Sequence, residues 1–132
     1  MTEAAEKYFN RVYPNGEFKL ASTDPEFADF FANFSCDEVV NQDDLDDRAR
    51  MMAILATLLG CQGVDEFREI LPGALNLGVT PVEVKEIVYQ ACAYLGIGRV
   101  RPFFDAVNDV LTEKGISLPL EGQATLSLIH IS

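Results

Sequence analysis

The sequence predicts an all-α domain, a bundle of five or six helices. Three observations predict it. Apolar residues recur at helical spacing along most of the 132 residues, capping and stop signals fall between these runs, and no stretch alternates with period two for long enough to form a strand. The longest apolar run, Leu45 to Cys61 (LDDRARMMAILATLLGC), organises the rest. It opens acidic and amphipathic. From Met51 onward Met51, Met52, Ile54, Leu55, Leu58 and Leu59, with Ala53 and Ala56, occupy every side of a helical turn. A helix apolar all round is a buried helix. It is too short to span a membrane, which needs roughly 20 apolar residues. It is therefore expected as the central post of the bundle, or facing a partner subunit.

The elements follow in order. Thr2 is placed to cap a first helix with Glu3 and Glu6 in its acidic first turn, running to about Tyr13 and stopped by Pro14, Asn15 and Gly16. Asp24, Pro25 and Glu26 mark a second start, a capping side chain with proline at the first helical position. Phe27, Phe30, Phe31 and Phe34 follow as one aromatic stripe, read as core rather than as a ligand wall. The segment Cys36 to Asp47 carries six acidic residues, with Asp43 or Asp44 placed to cap the central helix. It lacks the DxDxDG spacing of a calcium loop, so no metal site is read there.

A further helix is expected from about Val64 to Leu77, with Gly78 as its C-cap and a kink or break near Leu71 imposed by Pro72. Thr80, Pro81 and Glu83 form a strong start signal, a capping box with proline at the first position. Val84, Ile87, Val88, Ala91, Tyr94 and Leu95 then recur at helical spacing up to Gly96 and Gly98. A last helix, about Gly98 to Lys114, stops at Gly115. The helical domain is thus residues 1–117, and Pro119 and Gly122 make 118–125 read as an extended linker.

Composition excludes several functions. The 10 basic residues form no patch against 21 acidic ones, and the net charge of −11 argues against a nucleic-acid partner. Three cysteines, Cys36, Cys61 and Cys92, are odd in number and lack CxxC spacing, which reads as reduced thiols. The N-terminus is charged, with no apolar core of a secretory signal. A cytoplasmic protein with no membrane segment is expected. The last seven residues, LSLIHIS, resemble the translation of a sequencing-library adapter. The expectation is that 126–132 is a non-native tail, that the natural gene continues past Thr125, and that deleting the tail leaves the melting temperature within about a degree. The only histidine, His130, is set aside with it.

From Leu45 to Phe104 the chain resembles the carboxymuconolactone decarboxylase family, the all-α group that also holds the alkylhydroperoxidase-D-like peroxidases. The segments LDDRARMMAILATLLGC, GALNLGVTPVEVKEIVYQ and AYLGIGRVRPFF carry the resemblance. It is most similar to a subgroup with two such domains in one chain, joined by a linker like ISLPLEGQAT, which would make this chain the first domain. The resemblance implies an alkylhydroperoxidase-D-like bundle, a small-molecule substrate, and a homo-oligomer of dimers or trimers of dimers.

For chemistry, the resemblance transfers position by position. The peroxidase branch uses a glutamate, a CxxC pair and a histidine, which match Met51, Gly63, Glu66 and Ile70, so all four are missing. Cys61 lies two residues early with Val64 where a second thiol would stand. A disulfide relay needs that resolving thiol, so Cys61 is read as a small buried hydrophobe rather than a redox centre. The decarboxylase branch also loses its histidine at Ile70, but its arginine and glutamate match Arg50 and Glu66, and Gln90, Tyr94 and Gly96 fit as well. Loss of carbon dioxide needs a cation for the carboxylate or developing enolate and an acid to reprotonate carbon. Arg50 is the candidate cation, and Glu66 or Tyr94 the candidate acid. The bland alternative pairs Arg50 with Asp46 or Asp47, leaves Glu66 solvated and puts Tyr94 in the core. The expected function is acid–base chemistry on a small organic acid or lactone, without metal or redox cofactor. Thiol peroxidase activity and a non-catalytic assembly domain are the alternatives.

Overall fold

The computed structural model describes residues 1–121 apart from Glu17 and Asp43, and these are all α with no strand among them. Seven α-helices occur in the described residues: α1 (Glu3–Val12), α2 (Leu20–Thr23), α3 (Pro25–Asn33), α4 (Asp47–Gly60), α5 (Val64–Asn76), α6 (Pro81–Leu95) and α7 (Ile97–Glu113). The expected five or six is exceeded by α2, a single turn whose four residues are too few to show a period. The expectations for 126–132 lie outside the described residues. Leu120, in the segment read as linker, is buried with the core.

The capping chemistry is as the sequence dictates. Thr2 Oγ1 accepts from Ala5 N at 3.0 Å. Thr80 and Glu83 close a reciprocal box, with Glu83 N donating to Thr80 Oγ1 at 3.1 Å and Thr80 N to Glu83 Oε1 at 3.0 Å. Gly96 reverses the chain between α6 and α7 at φ +88°, which glycine adopts without strain. The cap of α4 is Asp46, whose Oδ1 accepts from Ala49 N at 2.7 Å, rather than Asp43 or Asp44.

Helices α5, α6 and α7 pack together with α4 around Phe67, Phe103, Leu55, Leu71, Val84, Val88 and Val107, with the Phe67 and Phe103 rings edge to face at 5.1 Å. The only buried charge among the described residues, Lys85, donates to Asn108 across α6 and α7, and burial lowers its amine pKa. Helix α1 lies against α3 and α5. Pro72 does not break α5, which runs through it unbroken. The next residue explains why the pair is there. A Cβ on Gly73 would sit 1.7 Å from the Val12 carbonyl oxygen, so only glycine lets the end of α1 lie on α5, where Asn76 Nδ2 also donates to Arg11 O at 2.9 Å.

Two burial expectations are corrected. The phenylalanine stripe of α3 is not core: Phe27, Phe30 and Phe34 are more than half exposed. The buried face is instead Ala28 and Ala32, whose small side chains let α3 approach α1. At 100° per residue the phenylalanines fan away from that face, and only the nearest, Phe31, turns inward to stack on Phe18 at 5.4 Å. Likewise α4 is not buried on every side. Met51, Leu55 and Leu59 form its one buried stripe, while Met52, Ile54 and Leu58 are half-buried and Ala53 and Ala56 exposed. The remaining sides of α4 border two openings, described below.

One element had no sequence signal. After α3 the chain widens into a π turn, Phe34–Glu38, closed by Val39 N donating to Phe34 O at 2.9 Å. Its extra residue per turn carries Cys36 into a buried position against α1.

Candidate functional site

Capping by Asp46 places Asp47 and Arg50 one turn apart on the face of α4 that meets α1. There Arg50 Nη1 donates to Asp47 Oδ1 at 2.9 Å and to the Tyr8 hydroxyl at 3.0 Å. Its Nη2 donates to the Leu45 carbonyl at 2.5 Å, and more weakly to Val40 O at 3.5 Å. Tyr8 passes its own hydrogen to Asp47 Oδ1 at 3.0 Å, and Arg11 Nη2 reaches Asp47 Oδ2 at 3.0 Å. Both guanidiniums also lie near the Tyr8 ring, 5.6 and 5.8 Å from its centroid. Burial would raise the Asp47 pKa, but the Tyr8 hydrogen bond and the two guanidiniums outweigh it and hold the carboxyl below its ordinary value. Tyr8 moves the other way, raised chiefly by burial against the opposing pull of Arg50.

This network forms one wall of a partly open cavity of about 210 Å³ between α1, the π turn, α4 and α5. Its apolar lining includes Val12, Met51, Ile54 and Ile70, and its polar groups are Tyr8, Tyr13, Ser35, Cys36 and Arg50. Burial pushes the Tyr13 phenol well above its usual range, with the Glu69 and Glu66 carboxylates, and Cys36 where it ionises, adding to it. Burial raises the Cys36 thiol too, against a smaller opposing effect of its contact with Ser35, whose Oγ lies 3.7 Å away. Both groups hold their protons at neutral pH. The guanidinium of Arg50, with only 12% of its side chain exposed, is the one cation among the described residues of this lining.

The residues singled out from the sequence do not converge. Arg50 lines the cavity, paired with Asp47 as the bland alternative held. Glu66 is solvent-exposed and borders a neighbouring open groove of about 540 Å³ with Phe18, Phe27 and Phe31. Cys61 is exposed at the C-cap of α4, not buried as expected, because the helix ends there and turns its last residue to solvent. Cys61 and Glu66 are neighbours across Gly63, where an added Cβ would lie 3.4 Å from Cys61 Sγ and 3.5 Å from Glu66 Oε2. Tyr94 is 90% exposed, not core, because it falls in the last turn of α6 where no other described helix covers it. It stands on the rim of an open groove of about 550 Å³ between α4 and α6. Tyr8, Tyr13 and Cys36 were missed. Tyr8 and Arg11 stand one turn apart on α1 and carry a faint signal, but the π turn that delivers Cys36 has none.

Comparison with known proteins settles the kinship. The family model described as the carboxymuconolactone decarboxylase family matches residues 25–109. The chain belongs to this family. A curated relative from Acinetobacter baylyi (strain ATCC 33305 / BD413 / ADP1), named 4-carboxymuconolactone decarboxylase, is 29% identical over 112 residues, covering 85% of this chain and 81% of its own. Met51 and Ile70, two positions that the sequence resemblance singled out, both line the 210 Å³ cavity. Among the described residues no helix is long and apolar enough to cross a membrane.

Proposed function

We propose that this chain acts on a small organic acid or lactone by acid–base chemistry in the cavity beneath α1. The observation that carries the reading is Arg50: a fixed, largely buried guanidinium on the wall of a mostly apolar, partly open cavity. Loss of carbon dioxide leaves an electron pair that spreads onto an oxygen, and a preorganised cation in a water-poor site stabilises that oxygen far better than one in water. The bonds to Asp47, Tyr8 and Leu45 fix the guanidinium, and among the described residues its Nε–H has no acceptor, which leaves that donor for a substrate oxygen. The proton that returns to carbon would come from Cys36 or Tyr13, two protonated groups of the lining that Arg50 does not engage. Glu66 and Tyr94, bordering other openings, would act only at a distance or through a second subunit.

The test is turnover of 4-carboxymuconolactone by the purified chain. The expected outcome is loss of the lactone that falls about 100-fold or more in Arg50→Met. No turnover above a heat-killed control would sink the reading. A hydroperoxide assay with a dithiol reductant is expected to stay silent, and Cys61-dependent turnover there would favour the peroxidase alternative instead.

One observation favours a second reading, a non-catalytic assembly domain. Met51 and Ile70 are apolar where related members carry acid–base groups, and the α4–α6 groove is almost wholly apolar between Met52, Ala56, Ile87 and Leu95. A second copy of the chain packed on that groove would give the homo-oligomer implied by the family resemblance. Tight ligand binding with no turnover, or an assembled protein with no ligand affinity, would separate the two readings.

A further inference from the structure

We propose that the partly open cavity and the shallow cleft beside it are one binding site for a small carboxylic acid with an apolar body, its carboxylate held by Lys7 and Arg11. The proposal rests on the reading above that the cavity takes a ligand, and it adds where the charged end of that ligand lies.

The cleft, about 190 Å³, is lined by Lys7, Tyr8, Arg11, Cys36, Val40 and Asn41. Tyr8, Cys36 and Val40 are also walls of the 210 Å³ cavity, so the two spaces adjoin along three shared side chains. Each alone is below the roughly 300 Å³ at which small-ligand sites usually begin. A ligand that sets an apolar body in the cavity and a carboxylate on the cations of the cleft has to occupy both. Their chemistry is divided to match. Beyond Tyr8 the cavity offers Met51, Ile54 and Ile70 to an apolar body, while the cleft offers cations.

Charge supports the same assignment. In a chain of net charge −11 with only 10 basic residues, Lys7, Arg11 and Arg50 gather around Tyr8. Asp47 is the carboxylate set among them, and Asp37 reaches the edge of the cleft by accepting from Asn41 Nδ2 at 2.9 Å. Arg11 gives only Nη2 to Asp47 and keeps half of its side chain exposed. Lys7 has no hydrogen-bond or ion-pair partner among the described residues, so a carboxylate would meet an ammonium that need not leave another anion first. The acidic remainder of the surface repels polyanions, which restricts the ligand to a compact one.

Isothermal titration calorimetry with three probes tests this on the full chain. Hexanoate carries both features, hexan-1-ol only the apolar body, and inorganic phosphate only the charge. Hexanoate is expected to bind about tenfold or more tightly than either of the others. Lys7→Gln, which removes no internal partner, should weaken hexanoate about fivefold and leave hexan-1-ol unchanged. Ile54→Phe should fill the cavity and weaken hexanoate while leaving phosphate unchanged. Should Ile54→Phe fail to fold, Lys7→Gln and the three-probe comparison decide alone. Hexanoate binding no tighter than both hexan-1-ol and phosphate, or insensitive to Lys7→Gln, overturns the composite site. Lactone turnover with hexanoate binding absent would also overturn it while leaving the proposed function standing. Hexanoate binding of the expected pattern without lactone turnover would keep the site and remove the proposed chemistry.

Discussion

Helix α4 has an opening on each of two sides, and the two are built differently. Toward α1 and α5 it presents Arg50, Met51 and Ile54 to a partly open cavity in which Arg50 and Tyr8 are tied into one network through Asp47. Toward α6 it presents Met52, Ala56 and Gly60 to a wide groove with Glu83, Glu86, Gln90 and Tyr94 among its lining residues. A ligand site needs a few oriented polar groups inside an apolar enclosure. A surface for another subunit needs continuous apolar area, like a core cut in half. The lesson is that the all-round apolar character of α4 is divided between one stripe in the bundle core and two sides that border different openings. Each prediction below attacks one side and spares the other.

The largest effect is expected on the groove side. Ala56→Arg would place an unpaired charge in the middle of the surface that a second copy would cover, at about 3–5 kcal/mol of association energy. In the isolated chain Ala56 is exposed, so the fold should be unaffected. Light scattering at micromolar concentration should show an oligomer for the parent chain and a monomer for the variant, with unchanged circular dichroism. A parent chain that is already monomeric would remove the distinction drawn between the two sides.

Next in size is Gly73→Ala on the cavity side. Its Cβ would meet backbone, the Val12 carbonyl, which cannot swing away as a side chain could. Destabilisation by about 3 kcal/mol is expected, read as a fall in urea midpoint. The matching change at the end of the groove wall, Gly60→Ala, meets nothing within 4 Å and should gain about 0.5 kcal/mol from helix propensity. Equal effects at the two glycines would mean that α1 is less firmly seated on α5 than the close approach implies.

These two glycines also show what was legible beforehand. Caps and stops at Thr2, Thr80 with Glu83, and Gly96 depend on residues within four positions of each other, so the sequence displays them. The assignment of faces depends on what packs against a helix. The stripe of four phenylalanines is a stronger apolar signal than Ala28 and Ala32, yet the alanines are buried because small side chains allow closer approach. Pro72 and Gly73 look like a helix defect until the end of α1 is seen lying on them. The cavity is further out of reach, since it joins α1, a π turn, α4 and α5 from positions spread between Tyr8 and Ile70. Arg50 was found only because the family pattern marks its position. Its partner Tyr8, and the Arg11 that shares Asp47 with it, about 40 residues upstream, were not.

Asp47→Asn should act more mildly and depend on pH. The pairing holds the Asp47 pKa below its unfolded value, so its contribution to stability is fully present above about pH 4 and is lost as pH falls through the folded pKa. In the variant, Arg50 keeps Tyr8 and Leu45 O but loses its counter-charge, and a cost of about 2 kcal/mol at pH 7 is expected. Urea midpoints of the parent chain and the variant should converge as the pH is lowered below about 4. A gap that stays constant down to pH 3 would show that the carboxylate charge does not hold the network together.

The smallest expected effect is that of Tyr94→Ala, and it bears on the comparison most directly. Tyr94 is 90% exposed on the rim of the groove, and no described residue accepts or donates a hydrogen bond to its hydroxyl. Exposed substitutions away from packed features usually stay within about 0.5 kcal/mol. If chemistry belongs to the cavity and assembly to the groove, Tyr94→Ala should leave the melting temperature and the Arg50-dependent turnover per chain nearly unchanged. Tyr94→Phe then discriminates further, because it keeps the ring for a subunit contact and removes only the hydroxyl. Loss of turnover in both variants with assembly intact would make the hydroxyl part of the reaction and draw the groove into the active site through a second copy. Loss of assembly in Tyr94→Ala alone would keep the two sides of α4 as separate as their linings suggest.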